Sequence, residues 1–238
     1  MKDPSEPKPN TRNPWKCPII RCPTMLSDSA LLDHLIAEHK CIDLKPVEAG
    51  EKALLSFRES IFPYGQPVCM GVLLYGGKGN QPSPGQTGLS HRNSILSASF
   101  AAYEKHLPVL VMGCKTHLTD MLADDEIPSE IYNDICQRRD AALNGSDLDK
   151  DIFVLWLIGP STSRPVYGEV TISDVDRIIV RGCRMQMRDF KDFLLPKSFL
   201  CNGEDYLMVN RPGMSLMTRN GEQDVEMEVV IEEEKTEI

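Results

Sequence analysis

The chain has 238 residues, a net charge of −9 at pH 7, a pI near 5.1 and 41% hydrophobic residues. That apolar content is enough for one sizeable core plus a small module, and the acidic balance argues against a surface that tracks nucleic-acid phosphates. No apolar run approaches membrane-spanning length, and the opening Met-Lys-Asp-Pro-Ser-Glu-Pro-Lys-Pro-Asn lacks the apolar core of a secretory signal. The expectation is therefore a cytoplasmic or nuclear protein without a membrane partner, whose eight cysteines serve as ligands or reduced thiols.

Residues 1–14 carry four prolines and several charges, a composition that cannot offset ordering entropy, so they read as a disordered leader. The next stretch, 15–41, carries the strongest chemical signal. Cys17 and Cys22 have four residues between them, His34 follows after eleven more and His39 after another four. This is close to the Cys2His2 spacing of tetrahedral zinc, with the cysteines on a tight knuckle and the histidines on a short helix capped by Ser27 or Asp28. Leu31, His34, Leu35 and Glu38 recur at helical intervals. Five helical positions sweep roughly 140° beyond a full turn, so His34 and His39 can share a metal only if the helix loosens at its end. With four protein ligands no position is left for water or substrate, so the expected ion is one structural zinc per chain, held by Cys17, Cys22, His34 and His39.

Residues 41–50, with Pro46 and Gly50, read as a connector, after which the pattern changes to short apolar runs. Strands are predicted over 53–57, 68–75, 108–113, 152–159, 166–173, 177–182, 206–210 and 225–231, each bounded by Gly, Pro, Asn or Asp. Eight short runs imply a mainly β fold, a sandwich or barrel. The run Phe153-Val-Leu-Trp-Leu-Ile158 suits a strand covered on both faces, and the alternating 225–230 segment suits one with a wet face. Segments 76–94, rich in Gly, Pro, Ser and Gln, and 119–143, charged and partly helical in pattern, read as inserted surface loops. Residues 187–199, with Phe190, Phe193 and Leu194 at helical intervals, read as a short helix, and 232–238 as an acidic tail.

The finger spacing and its Leu31-x-x-His34-Leu35-x-x-x-His39-Lys40 wording resemble the second zinc site of the seven-in-absentia (SINA/SIAH-like) ubiquitin ligases. The likeness continues: Asp151-Ile-Phe-Val-Leu-Trp-Leu-Ile-Gly159 is similar to a strand of that family's TRAF-like substrate-binding sandwich, and Arg188-Asp-Phe and Asp205-Tyr-Leu-Met-Val follow in the family's order. The resemblance implies a TRAF-like antiparallel β-sandwich of about eight strands over 51–231, braced by the zinc module, forming a homodimer and holding partner peptides. It covers only the C-terminal half of the family's architecture. No Cys or His precedes Cys17, so the RING that recruits a conjugating enzyme is absent, as is the first zinc site of the family region. The strand that aligns with the family's peptide-binding edge, Val68-Cys-Met-Gly-Val-Leu-Leu, lacks the expected tryptophan.

Enzyme candidates are loose: Cys114 with His117, Cys69, and Cys136 beside Asp134, none in a recognisable nucleophile signature. Cys41 could substitute as a ligand, although packing under the finger is its plainer use. Gly76, Gly77 and Gly79 lack the Lys-Ser or Lys-Thr of a phosphate loop. A lone finger raises DNA or RNA binding, but base reading needs Arg, Lys, Asn or Gln at the helix start, where Ser27, Asp28, Ser29, Asp33 and Glu38 lie instead. The sequence therefore points to a non-enzymatic adaptor in the ubiquitin pathway with protein or peptide partners. The alternative is a nuclear nucleic-acid-binding zinc finger.

Overall fold

A strand that is apolar at every position has no face to give to water, so Phe153–Ile158 demands cover on both sides. In the computed structural model, which describes residues 14–77, 91–94, 96–118, 150–190 and 205–233, this run is the middle of a strand (Asp151–Gly159) whose nine residues are all buried. In chain order the strands are β1 (Trp15–Lys16), β2 (Met25–Leu26), β3 (Leu44–Val47), β4 (Lys52–Phe57), β5 (Val68–Tyr75), β6 (Leu107–His117), β7 (Asp151–Gly159), β8 (Val166–Ser173), β9 (Val180–Gln186), β10 (Arg188–Asp189), β11 (Leu207–Asn210) and β12 (Val225–Glu233). Among the described residues two short α-helices accompany them, α1 (Leu31–Glu38) and α2 (Arg211–Met217), and the fold is mainly β as expected.

Apart from the β1–β2 ribbon the described residues form two sheets. In the larger, β7 lies beside β6, followed by β5 and β3, and its other side takes both β10 and β11. The smaller has the order β4-β12-β8-β9. Pairing is antiparallel except for β3 on β5 and β10 on β7, which are parallel. The sheets pack face to face through glycines that let side chains of the opposite sheet approach. A Cβ on Gly168 of β8 would overlap Leu157 of β7, and one on Gly71 of β5 would lie 3.0 Å from Leu55 of β4. Between the sheets the Tyr75 hydroxyl donates to Glu233 Oε1 at 3.2 Å, and Arg164 Nη2 lies 2.7 Å from Glu233 Oε2. Burial pushes the Tyr75 phenol well above its ordinary value, helped by the charge of Glu233, so it remains a donor at any ordinary pH.

Three expectations need correction. The larger sheet begins at Leu44, inside the stretch read as a connector. Leu44-Lys-Pro-Val47 looks broken by proline, but β3 is an edge strand, where a missing N–H removes no ladder bond. The strand expected over 177–182 is displaced to Val180–Gln186. Asp174 Oδ1 accepts the Ile179 N–H at 2.8 Å and Arg177 takes a left-handed φ of 55°, so 174–179 is the turn of the β8–β9 hairpin. The expected helix over 187–199 begins instead with the two-residue strand β10, and its remainder from 191 lies outside the described residues. Also outside them lie most of the leader, residues 78–90 of the first insertion, all of 119–143 and the tail from 234. The alternating strand runs to Glu233, two residues into the predicted tail.

At the end of the sheet where β6 finishes and β7 starts, charges from four elements meet. Lys115 Nζ lies 3.1 Å from Asp151 Oδ2, Arg211 Nη1 lies 3.6 Å from the same oxygen, and Arg211 Nη1 also lies 3.5 Å from Glu59 Oε1. The Asp151 side chain is only 8% exposed and that of Lys115 only 17%. Removing one member therefore strands a partly desolvated charge. Asp151→Ala is expected to destabilise the protein by about 3 kcal/mol, read as a lower urea midpoint at unchanged slope. Asp224→Ala, whose pair with Arg58 is largely solvent-exposed, should move the midpoint little.

Candidate metal centre

The knuckle comes from the β1–β2 ribbon, in which Trp15 faces Leu26 and Lys16 faces Met25. Cys17 follows β1 directly, and its N–H donates to the Thr24 carbonyl at 2.9 Å. The loop then tightens: the Cys22 N–H donates to Ile19 O at 3.1 Å, and Arg21 takes a left-handed φ of 65°. These constraints turn both thiols toward the same side.

The histidines come from α1, entered through a single 3₁₀ turn at Asp28–Ala30. Neither expected cap forms. Ser27 makes no side-chain cap bond, and Asp28 Oδ1 instead accepts the Trp15 indole N–H at 2.9 Å. His34 lies within the helix and is buried. His39 is its C-cap residue, at φ −120° and ψ 49°, with its N–H still donating to Leu35 O. The loosening that the five-residue separation requires is thus located at one residue, which leaves helical geometry while keeping the last helical hydrogen bond.

The four side chains converge, with all ligand atoms within 4.8 Å of one another. His34 Nε2 and His39 Nε2 are 3.2 Å apart, Cys22 Sγ is 3.3 Å from His34 Nε2, and Cys17 Sγ is 3.5 Å from His39 Nε2. A tetrahedral ion with metal–nitrogen bonds of about 2.05 Å and metal–sulfur bonds of about 2.3 Å has N···N edges of about 3.3 Å and S···N edges of about 3.5 Å. These three edges agree within a few tenths of an ångström, so this cluster can hold a metal ion.

Burial pushes the Cys17 thiol up to about 12, offset in part by a backbone hydrogen bond at Ile19. Burial also acts upward on Cys22, but hydrogen bonds from the Thr24 side chain and backbone and from Cys17 outweigh it, and its thiol falls below the ordinary value. Burial, and then the charge of His34, lower His39 below its ordinary 6.5, so its imidazole is neutral and ligand-competent at pH 7.

The module shares one core with the sandwich. Leu31, Leu32 and Leu35 of α1 are at most 1% exposed and belong to the same apolar cluster as β5, β6 and β7. Trp15 stacks on Phe190, just after β10, with ring centroids 4.3 Å apart and planes 22° from parallel. Ser94 adds a tether, its N–H donating to the Ser29 carbonyl at 2.8 Å. Trp15 and Phe190 were visible in sequence as apolar residues, but nothing there joined positions 175 apart; an aromatic just before the first ligand was the one available signal.

The other described cysteines lie apart from this cluster. Cys114 is fully buried on β6, and His117 lies three residues further along the same strand, where alternation turns it to the opposite face. Burial raises the half-buried Cys69 thiol to about 12. Cys41 is exposed beyond α1 and is not among the four converging ligands, and Cys136 and Asp134 lie outside the described residues.

Metal retention should depend on pH with a definite sign. A histidine whose folded pKa is lowered binds fewer protons folded than unfolded, so its stabilising contribution is complete above the ordinary imidazole pKa and is lost as pH falls. Metal content measured by atomic absorption after dialysis is expected to be flat from pH 8 to 7 and to fall below about pH 6.5, as protons compete for His39.

Comparison with curated proteins finds no match to the chain. A family described as "Domain of unknown function (DUF4729)" matches residues 16–220, a span that takes in all four ligands, the larger sheet and α2, and the chain belongs to that family.

Proposed function

We propose that the chain is a non-enzymatic adaptor in which a structural zinc braces a TRAF-like sandwich that holds an extended partner peptide along a sheet edge. The observation that carries this reading is the ligand set: two sulfurs and two imidazole nitrogens within 4.8 Å of one another, three of their edges at tetrahedral lengths, all from protein, on a module that shares its core with the sandwich. Two thiolates with two imidazoles suit zinc, which has no redox chemistry and no preference against a tetrahedron. A site filled in this way supplies folding energy and has no position for substrate. Backbone hydrogen bonds along an open strand would provide affinity, and alternate side-chain pockets selectivity.

The edge that the resemblance pointed to fits this role poorly. β5 pairs with β6 along its length and with β3 from Val72 to Tyr75, so only its first half, Val68–Gly71, lacks a second partner strand among the described residues. The reading therefore keeps the family's mode of binding but not its strand. A dimer through the sandwich and a place in the ubiquitin pathway belong to the same proposal. The nucleic-acid alternative is weakened by α1 itself, whose Leu31, Leu32, His34 and Leu35 are buried while Asp28 and Asp33 lie at its start.

Native mass spectrometry is expected to show one zinc per chain, lost in Cys17→Ser/Cys22→Ser together with a large fall in thermal stability; a folded wild type that binds no zinc refutes the brace. A charged conjugating enzyme mixed with the protein should keep its thioester at the background rate, and accelerated discharge would contradict the non-enzyme reading. Random duplex DNA at physiological salt should give no detectable binding, whereas a steeply salt-dependent signal would favour the nucleic-acid alternative.

A further inference from the structure

The two edges of the smaller sheet differ. At β4 the Lys45 ammonium from β3 caps the carbonyl of Leu54. At β9 the ladder to β8 runs along the whole strand, and among the described residues no other strand pairs with its far side. Such an edge presents a row of backbone donors and acceptors that another extended chain can complete.

Its side chains give it a character opposite to that of the chain, whose net charge is −9. Arg181 and Arg184 are both exposed, and neither holds a carboxylate among the described residues. Arg181 Nη1 rests on the carbonyl of Val180, and the Arg184 guanidinium lies 4.0 Å from the Tyr167 ring centroid. Glu169 faces Arg184 across the ladder without forming an ion pair. Next to these cations is an apolar shelf, with Ile178 80% and Val180 46% exposed. At the Gln186 end the edge runs into a polar cleft lined by Ser161, Thr162, Arg164 and Asp205, where the Gln186 N–H donates to Asp205 Oδ1.

We infer that β9 is the docking edge for an extended acidic peptide of a partner protein, which adds as a fifth, antiparallel strand. This deepens the adaptor reading and rests on it. The side-chain period of two fixes what the peptide must carry. Residues directly opposite share a face, so the peptide residue facing Arg184 and the one facing Arg181 are three apart, and the next one faces Val180. The chemistry is acid-x-x-acid-apolar. A second copy of this chain is a poor occupant, because β9 paired with itself brings the same arginines and no carboxylate to the seam.

The probe is a fluorescein-labelled ten-residue peptide with the core Asp-Thr-Thr-Asp-Val, added to the full metal-loaded chain and followed by anisotropy. Its counterpart has lysine in place of both aspartates. Wild type should bind the acidic peptide and not the basic one, and Arg181→Glu/Arg184→Glu should lose at least tenfold in affinity for the first and gain the second. Hydrogen exchange should show new protection within 180–186. No binding of the acidic peptide, binding indifferent to charge reversal, or protection confined to another strand would overturn the assignment. Thermal melts of the single and double variants check that both remain folded. Crosslinked capture with wild type and the double variant separates the two levels: partners held equally by both would remove β9 and leave the adaptor standing, whereas no protein partner for either would remove the adaptor itself.

Discussion

The structure depends on two imidazoles reaching one point from positions five apart on a helix that would turn them away from each other. Ending α1 at Glu38 and letting His39 leave helical geometry at φ −120° and ψ 49° resolves the conflict at one residue, with the last helical hydrogen bond retained. The thiols are aimed by the opposite device, a two-residue ribbon whose loop is closed by two backbone hydrogen bonds and a left-handed Arg21. Neither half would hold its geometry alone, because two-residue strands and an eight-residue helix are both marginal in water. A metal ion held by the four ligands would supply the closure that such a small unit lacks.

That unit is not a separate bead. The face of α1 that carries His34 also carries Leu31 and Leu35 into the common core, and Trp15, just before the first ligand, lies flat on Phe190 after β10. Losing the metal would therefore disturb the sandwich as well as the finger, and the indole bond to Asp28 ties ribbon, helix and sandwich to one side chain. At the far end of β6 and β7 the Asp151 carboxylate plays a comparable part, gathering Lys115 and Arg211 where a long insertion leaves the sheet. Between these anchors the sheets approach closely wherever a glycine such as Gly168 removes the side chain that would hold them apart.

Particular residues show what could be read in advance. The four donors were legible because a tetrahedral metal site restricts donor type and spacing together, and β7 because an unbroken apolar run admits no wet face. Strand β3 was hidden by Pro46, which is costly inside a sheet but tolerated at an edge. Helix α2 was not anticipated, although it announces itself: the Asn210 side chain accepts the Gly213 N–H at 2.9 Å and Pro212 sits in the first turn. Its burial of Met214 and Met217, on a helix packed against β11 and β7, depended on neighbours no local pattern names. The shift of β9 came from Asp174, whose side chain closes a turn around a left-handed Arg177 that composition favours as strand.

The sequence by itself determined the donor set Cys17, Cys22, His34 and His39, the need for a loosened helix end, and a mainly β body with its central strand, because each follows from local chemistry or from a period of two or 3.6. Only the tertiary structure decided which strands are interior and which are edges. That choice closed half of β5, left β9 with no further strand beyond it among the described residues, and placed along it two arginines without a carboxylate partner among those residues. Edge or interior is a property of pairing between segments far apart in the chain, and a strand carries the same alternation in either position.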